Sequence, residues 1–171
     1  DRLFNEERMY TYVKTYASVK NLIQTSKVLP YARELHKGQV RKGKDKVPYI
    51  YHPLLIACHA LALGLNDDNI ISTALLHDVC EDCGVSVEEL PVNDATKEAV
   101  KLLTKSPEVN KEQYYQQISQ NPIATMIKLL DRCNNVSGMA ACFSKEKLVE
   151  YIKETESFVY PLLHIAKNDY P

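Results

Sequence analysis

Residues 73–82, TALLHDVCED, carry more information about this chain than any other stretch. The run is apolar before its histidine and holds neither Gly nor Pro, which predicts a buried helix. On such a helix Glu81 lies four residues after His77, and Asp82 lies four after Asp78, so each carboxylate shares a face with a potential metal ligand. A neutral imidazole beside an anionic oxygen suits a divalent transition ion. Burying four ionisable groups is costly without a metal or a substrate, which favours a functional site over a solvated polar stripe.

The composition is that of an ordinary globular protein. The 171 residues are 45% apolar and 25% charged, which predicts one domain with a sizeable core over residues 1–171. A formal net charge of −1 argues against nucleic acid as a partner, and no apolar run is long enough to span a membrane. Five cysteines without disulfide-scaffold spacing favour the cytoplasm. Cys80 and Cys83 form a C-x-x-C without a second pair or a preceding strand, which favours a structural or incidental role over a zinc or redox site.

Helical periodicity dominates the rest of the chain and predicts an all-α fold, a multi-helical bundle. A stretch with charge, Gly and Pro but no period, residues 39–50, is predicted to be a loop. Local start and stop signals place the helix ends. The first three predicted helices cover residues 4–23, 28–36 and 53–63, and the third stops at Gly64. The fourth is capped by Asp67 or Asp68, a short fifth follows a Ser86–Glu89 capping box, and the sixth runs from Asn93 or Asp94 to about 104. The seventh lies within 107–119, the eighth begins at Asn121-Pro122, and a last long one runs from Ser144 to about 165.

Two further segments offer donors of the same chemical class. Asp131 ends the apolar stretch MIKLLD, and Asn135 lies four residues later on the same helical face. These two residues are read either as part of a site or as a helix end that reaches solvent. His52 precedes a Pro-initiated helix and is read either as a ligand or as an ordinary surface or core histidine. Together with the His-Asp pair they make a two-His, two-Asp set that leaves positions open for water and substrate.

Four ordered blocks carry a resemblance to a known family: HKGQVRKG at 36–43, PYIYHP at 48–53, ALLHDVCED at 74–82 and IKLLDRCNN at 127–135. Their order and spacing resemble the HD-domain phosphohydrolase superfamily, and more narrowly the hydrolase domain of RelA/SpoT-type alarmone enzymes and their small stand-alone relatives. The resemblance covers roughly residues 30–140. It implies an all-helical HD bundle that removes the 3′-pyrophosphate of (p)ppGpp, the alarmone of the stringent response, to give GDP or GTP.

The resemblance also implies roles for individual residues. One manganese ion is expected on four ligands, and two acidic residues are expected to position and activate the attacking water. Three further residues are expected to bind the nucleotide, two on the guanine base and its phosphates and one near the ribose. These sets are His52, His77, Asp78 and Asp131 for the metal, Glu81 and Asp82 for catalysis, and Arg41, Lys42 and Asn135 for the substrate. Arg41 suits its role because a guanidinium stacks on a base and binds phosphate bidentately.

The chain departs from the family pattern beside the expected nucleoside pocket. Ser137 and Gly138 stand where the long enzymes usually have a basic residue and a Thr, and Asn134 replaces a commonly seen His. An HD phosphohydrolase for another nucleotide or a phosphorylated cofactor is therefore a second hypothesis, and a nucleotide-sensing module without turnover is a third. The retained Glu81 and Asp82 argue against the third. The length leaves no room for a synthetase or regulatory domain, so a stand-alone hydrolase is expected, whose oligomeric state the sequence does not indicate.

Overall fold

The structure, a computed structural model, describes residues 5–41, 46–139 and 143–170, without the side chains of 138 and 139. Within these ranges the chain is helical, and a single isolated β-bridge joins Val40 to Pro48. The all-α prediction is confirmed. The helices are α1 (Glu6–Lys20), α2 (Ile23–Leu35), α3 (Tyr51–Ala62), α4 (Asp68–Leu76), α5 (Val79–Cys83), α6 (Asp94–Leu103), α7 (Lys111–Ser119), α8 (Pro122–Met139), α9 (Lys145–Glu154) and α10 (Tyr160–Asp169), with a 3₁₀ turn at Val87–Glu89 and a π-helical segment at Thr155–Val159.

The helix starts that were predicted from a capping residue are confirmed, because each depends on a local hydrogen bond. The predicted boundary between the first two helices is wrong: α1 ends at Lys20, where Asn21 has a left-handed backbone, and α2 begins at Ile23 and not at residue 28. The Asp67 carboxylate accepts from the backbone N–H groups of residues 69 and 70, and Asn93 and Ser144 each accept from the third residue that follows them. The Asn121 side chain accepts from the N–H of residue 124. The Ser86–Glu89 capping box is present as well. Such short-range signals are readable from sequence, since both partners lie within one turn.

The last predicted helix is continuous but not uniform. Residues 145–169 run through α9, a π-helical segment and α10, and they extend four residues past the expected end at 165. The π-helical segment contributes Val159 to the core. The buried Arg132 of α8 packs its guanidinium over the Tyr151 ring of α9 at 3.8 Å, and it donates to the Thr155 hydroxyl at 3.2 Å. These contacts fix the C-terminal helices against α8, the helix that carries Asp131.

Helix α4 occupies the centre of the bundle and places the candidate site. Every residue from 70 to 76 is buried, and α4 packs against α2, α3, α6 and α8. A helix that is buried on all sides carries apolar or small residues around its whole circumference, as IISTALL does here. Its C-terminal end therefore delivers His77 to the interior, between α3 and α8. Among the described residues, no helix is both long and apolar enough to cross a membrane.

Candidate metal centre

His77 and Asp78 lie at a break between two helices rather than within one. Helix α4 ends at Leu76 and α5 begins at Val79, so the expectation of a continuous helix through this pair is wrong. The expectation of four buried ionisable groups is also wrong. His77 is buried and Asp78 is half-buried, whereas Glu81 and Asp82 are exposed. The break turns the two acidic residues of α5 toward solvent, which avoids the cost of burying them.

The break also fixes the ring of His77. Its Nδ1 lies 2.8 Å from the carbonyl oxygen of Ala74, one turn earlier on α4. A carbonyl oxygen only accepts, so Nδ1 carries the hydrogen and Nε2 is the atom directed into the site. Nε2 is buried without a hydrogen bond, although Asp78 Oδ2 lies 2.9 Å away in an ion-pair contact whose geometry is not that of a hydrogen bond.

His52 enters the site from the first turn of α3 in the same way. Its Nδ1 lies 2.6 Å from the amide oxygen of Asn134 on α8, so its Nε2 points to the carboxylates. That Nε2 lies 3.6 Å from Asp78 Oδ2 and 3.1 Å from Asp131 Oδ1. The rings of His52 and His77 meet edge to face, with their centroids 5.2 Å apart. Residues from three separate segments of the chain are thus adjacent, and their role as ligands stays a prediction.

The donor set fits a divalent transition ion. The ligand atoms of His52, His77 and Asp78 all lie within 4.8 Å of one another. Two donors that bind one ion at about 2.1 Å and at right angles are about 3 Å apart, which matches the 2.9 and 3.6 Å separations between Asp78 Oδ2 and the two Nε2 atoms. An ion would also satisfy the buried Nε2 of His77, which has no hydrogen bond. Asp131 is outside this three-residue set but touches it through His52.

The charges of the site stabilise one another. Burial by itself would raise the pKa of Asp78, but the adjacent His77 outweighs burial and holds that pKa well below its usual range. Burial likewise opposes charge on His77, yet the Asp78 carboxylate raises its pKa to about 9. For Asp131, burial is again outweighed, here by His52 and Lys128, so that its pKa is well below the usual range. Both carboxylates are therefore anionic near neutral pH, as metal ligands must be.

Two side chains that the sequence analysis left without a role hold these carboxylates in place. The Tyr49 hydroxyl donates to Asp78 Oδ2 at 2.6 Å, and the buried Lys128 donates to Asp131 Oδ2 at 3.1 Å. Burial raises the pKa of Tyr49 far above its usual range, with the neighbouring Asp78 as the second cause, so the hydroxyl remains a donor. Residues that hydrogen-bond to metal ligands in this way orient those ligands, and the affinity for the metal depends on them.

Glu81 lines the cavity beside this cluster, whereas Asp82 does not. The Glu81 carboxylate accepts from the backbone N–H of Lys105, in the loop between α6 and α7. The backbone carbonyl of Asp82 accepts from the Gln39 amide at 3.1 Å. Glu81 is therefore at the cavity, whereas the exposed Asp82 is outside the cavity lining but interacts with the Tyr49 hydroxyl, which also contacts Asp78.

The cavity has a volume of about 180 Å³, less than the roughly 300–1,000 Å³ of typical small-molecule sites. It suits the phosphate end of a substrate better than a whole nucleotide. Its lining carries three cationic and three carboxylate side chains besides the two histidines, so a divalent ion would leave it with a net positive charge. The charged lining residues are Arg41, Lys105 and Lys128, and Asp78, Glu81 and Asp131.

The predicted substrate-binding residues are partly placed. Arg41 lines the cavity together with Asn135, and its Nη2 donates to Asn135 Oδ1 at 2.8 Å. Asn135 Nδ2 in turn donates to Asp131 Oδ1 at 2.6 Å. Lys42 lies outside the described residues. The contacts of Asn135 thus run to a predicted metal ligand, and its predicted place near a ribose stays a prediction.

The C-x-x-C pair is outside the one group of three metal-ligand side chains found in the described part of the chain, the set around His77. Cys80 and Cys83 are both free. The Cys83 thiol donates to the carbonyl oxygen of Leu35, with the sulfur 3.6 Å from that oxygen. A structural or incidental role stays the prediction for this pair.

Comparisons with known proteins follow the geometry. No family model matches the chain. A guanosine-3′,5′-bis(diphosphate) 3′-pyrophosphohydrolase of Aquifex aeolicus (strain VF5) is 33% identical over 145 residues, which are 78% of this chain and 20% of that protein. The enzyme of the same name called MESH1, from Xenopus tropicalis, is 30% identical over 135 residues, or 72% of this chain and 75% of MESH1. The bifunctional (p)ppGpp synthase/hydrolase SpoT of Escherichia coli (strain K12) is 28% identical over 172 residues, which cover 92% of this chain and 24% of SpoT.

A solved structure gives the same fold. The metazoan SpoT ortholog that hydrolyses ppGpp superimposes with a TM-score of 0.69 and 24% identity, over 82% of this chain and 85% of that one. An all-α bundle with a His-Asp pair at the end of a buried central helix defines an HD-domain protein. The chain belongs to the family of (p)ppGpp 3′-pyrophosphohydrolases that includes MESH1. It spans about a fifth of the length of the Aquifex relative and about a quarter of SpoT.

Proposed function

We propose that this chain is a manganese-dependent hydrolase that removes the 3′-pyrophosphate of (p)ppGpp and releases GDP or GTP, in the cytoplasm. One observation carries the proposal. Two histidine Nε2 atoms and a carboxylate oxygen converge at the floor of a cavity whose other walls carry three cations and Glu81. That arrangement combines a place for a divalent ion with a place for a polyanionic group, which is what cleavage of a phosphate ester requires.

The ion is held by His52, His77, Asp78 and Asp131, and when bound it supplies Lewis-acid polarisation of a phosphoryl oxygen. Manganese accepts mixed imidazole and carboxylate donors. Asp131 Oδ1 lies 3.1 Å from His52 Nε2, so this carboxylate is next to the other three ligands, and its contacts with Asn135 and Lys128 hold it there. The names of the relatives support the reaction and say nothing of the metal, since MESH1 and SpoT are both named for (p)ppGpp hydrolysis.

Glu81 serves as the general base. It accepts a proton from water as the water oxygen bonds to phosphorus. The bond between that phosphorus and the ribose 3′-oxygen breaks, and the 3′-oxygen keeps the electron pair and takes up a proton from solvent. The pyrophosphate and the nucleotide then leave. The Lys105 N–H holds the Glu81 carboxylate at the cavity wall, which keeps the base within reach of the reacting group. Asp82, which is exposed on α5 and interacts with the Tyr49 hydroxyl, supports Glu81 in positioning the water.

Arg41 and Lys42 hold the base and phosphates, and Asn135 lies near the ribose. The cations Lys105 and Lys128 face the cavity, so they offset the negative charge of the pyrophosphate group during the reaction. The small volume of the cavity places the nucleoside outside it, next to the loop that carries Arg41.

The experiment is a product analysis with purified protein, manganese and a panel of ppGpp, pppGpp, GTP and phosphorylated cofactors. We expect pyrophosphate and GDP from ppGpp, and no turnover by a His77→Ala variant, which removes one ligand. If ppGpp stayed intact while another member of the panel was cleaved, the substrate assignment would be wrong and the metal chemistry would stand.

A second candidate, an HD phosphohydrolase for another nucleotide or a phosphorylated cofactor, is favoured by one observation. Ser137 stands where the family resemblance leads us to expect a basic residue, and its hydroxyl donates to the backbone carbonyl of Asn134 at 2.7 Å. The position therefore offers no charge to a phosphate group. The same panel separates the two candidates.

A further inference from the structure

Arg41 makes two contacts that a residue devoted to substrate would not need. Its Nη1 donates to Asn134 Oδ1 at 3.3 Å, and its Nη2 donates to Asn135 Oδ1 at 2.8 Å. A planar guanidinium holds its donors in a rigid fork, so the two bonds together orient both side-chain amides. Arg41 thus binds α8 at two successive residues, 93 and 94 positions further along the chain.

Each of these amides also contacts one predicted metal ligand. Asn134 Oδ1 lies 2.6 Å from His52 Nδ1, which donates to it. Because Asn135 Oδ1 accepts from Arg41, the Nδ2 of that amide faces Asp131 and donates to its Oδ1 at 2.6 Å. His52 Nε2 and Asp131 Oδ1 are 3.1 Å apart, so the contacts form a closed ring of five side chains.

We propose that Arg41 and Asn134 are positioning residues for the metal centre, in addition to any contact that Arg41 makes with substrate. Through Asn134, Arg41 fixes His52 in the tautomer that directs Nε2 to the ion, and through Asn135 it fixes the orientation of Asp131. This inference rests on the proposed function, because it takes His52 and Asp131 as ligands. Outer partners of metal ligands affect ion affinity by about 10–100-fold.

The alternative is that Arg41 acts on the substrate alone, with its amide contacts incidental. The two possibilities differ in the absence of any nucleotide. A substrate residue would leave the affinity for manganese unchanged, whereas a positioning residue would not.

The test measures manganese binding by titration calorimetry, with the metal alone and no nucleotide. We expect Asn134→Leu, which removes the acceptor for His52, to weaken binding by about 10–100-fold, and Arg41→Lys, which keeps the charge but loses the fork, by about 10-fold. Asn134→Asp keeps the acceptor oxygen and should bind manganese more tightly than Asn134→Leu does. The matched control is Arg33→Lys, the same change in an arginine that pairs with Glu6 and Glu7 on α1, and its affinity should equal that of the parent.

A second readout does not depend on the metal. Nitrogen NMR of the ion-free protein with ring-labelled histidine reports which ring nitrogen of His52 carries the hydrogen. The parent should show hydrogen on Nδ1, and Asn134→Leu should shift the population toward Nε2. Parent-like affinity in both Arg41→Lys and Asn134→Leu, with an unchanged His52 tautomer, would overturn the inference. His77→Ala is tested in parallel, since parent-like manganese binding by that variant would instead overturn the proposed metal centre.

Discussion

The substitution Glu81→Gln tests the proposed chemistry most directly, because it removes a base without removing a contact. The carboxylate oxygen that accepts from the Lys105 N–H becomes an amide oxygen that accepts equally well, so the loop between α6 and α7 keeps its position. Glu81 is also not in the set of donors that converge on the ion site. We therefore expect the metal content to stay at the parent level.

The size of the expected loss of activity follows from the role of Glu81 as a general base. General-base catalysis contributes about 10²–10⁴-fold, which corresponds to about 2.7–5.5 kcal/mol in the activation free energy. Glu81 is exposed on α5, so solvent can replace it in part. We expect a fall in kcat near 10²-fold, the lower end of that range.

The assay is pyrophosphate release from ppGpp at saturating manganese, with ion affinity measured separately by calorimetry. Asp82→Asn is compared with it, since it makes the same chemical change at the supporting carboxylate, on a side chain outside the cavity lining, and it should lose less activity. Turnover of Glu81→Gln at the parent rate would refute the assignment of the base. A larger loss in Asp82→Asn than in Glu81→Gln would show that position at the cavity is a poor guide to the catalytic carboxylate.

Three further predictions concern the metal centre and its support. Tyr49→Phe removes the donor to Asp78 Oδ2 and should weaken manganese binding by about 10–100-fold; an unchanged affinity by calorimetry would contradict the orienting role of Tyr49. Burial opposes the charge of His77, but the Asp78 carboxylate outweighs burial and raises the pKa of His77 to about 9. The ion must therefore displace a proton, so its affinity should increase with pH from 6 to 9, with proton release in calorimetry. A flat pH profile would count against His77 as a ligand. Lys128→Met leaves the buried Asp131 without its cation and should lower the free energy of unfolding by about 3 kcal/mol. The measurement is urea denaturation in the presence of a chelator. Parent-like stability would show that Asn135 and His52 are enough to stabilise the Asp131 carboxylate.

The sequence predicted what depends on local patterns. The fold class followed from helical periodicity, and the starts at Asp67, Asn93 and Ser144 followed from capping bonds that span three residues or fewer. The donors of the candidate centre were found because a histidine and an aspartate are conspicuous in an apolar run. The same reasoning placed His77 inside a helix, since periodicity does not register a break of two residues.

The remaining parts of the site depend on contacts between distant segments. Tyr49 reaches Asp78 across 29 residues, and Arg41 reaches Asn134 across 93. No period or spacing links such positions, so their roles were not predictable from one sequence. Tyr49 lies within the motif PYIYHP and Lys128 within MIKLLD. In the sequence alone neither residue differs from an ordinary residue of its segment, so the fold is needed to assign its role.

The ring from Arg41 to Asn135 makes the candidate centre a reporter of complete folding. Its members come from the loop after α2, the start of α3 and the end of α8, so a chain in which α8 has not yet docked presents His52, His77 and Asp78 without Asp131 or the two amides. An ion that binds only the finished arrangement stabilises it by mass action, by about 2.7 kcal/mol at one hundred times the dissociation constant. Manganese supply would then influence how much of this protein survives in the folded state, independently of whether any nucleotide is hydrolysed.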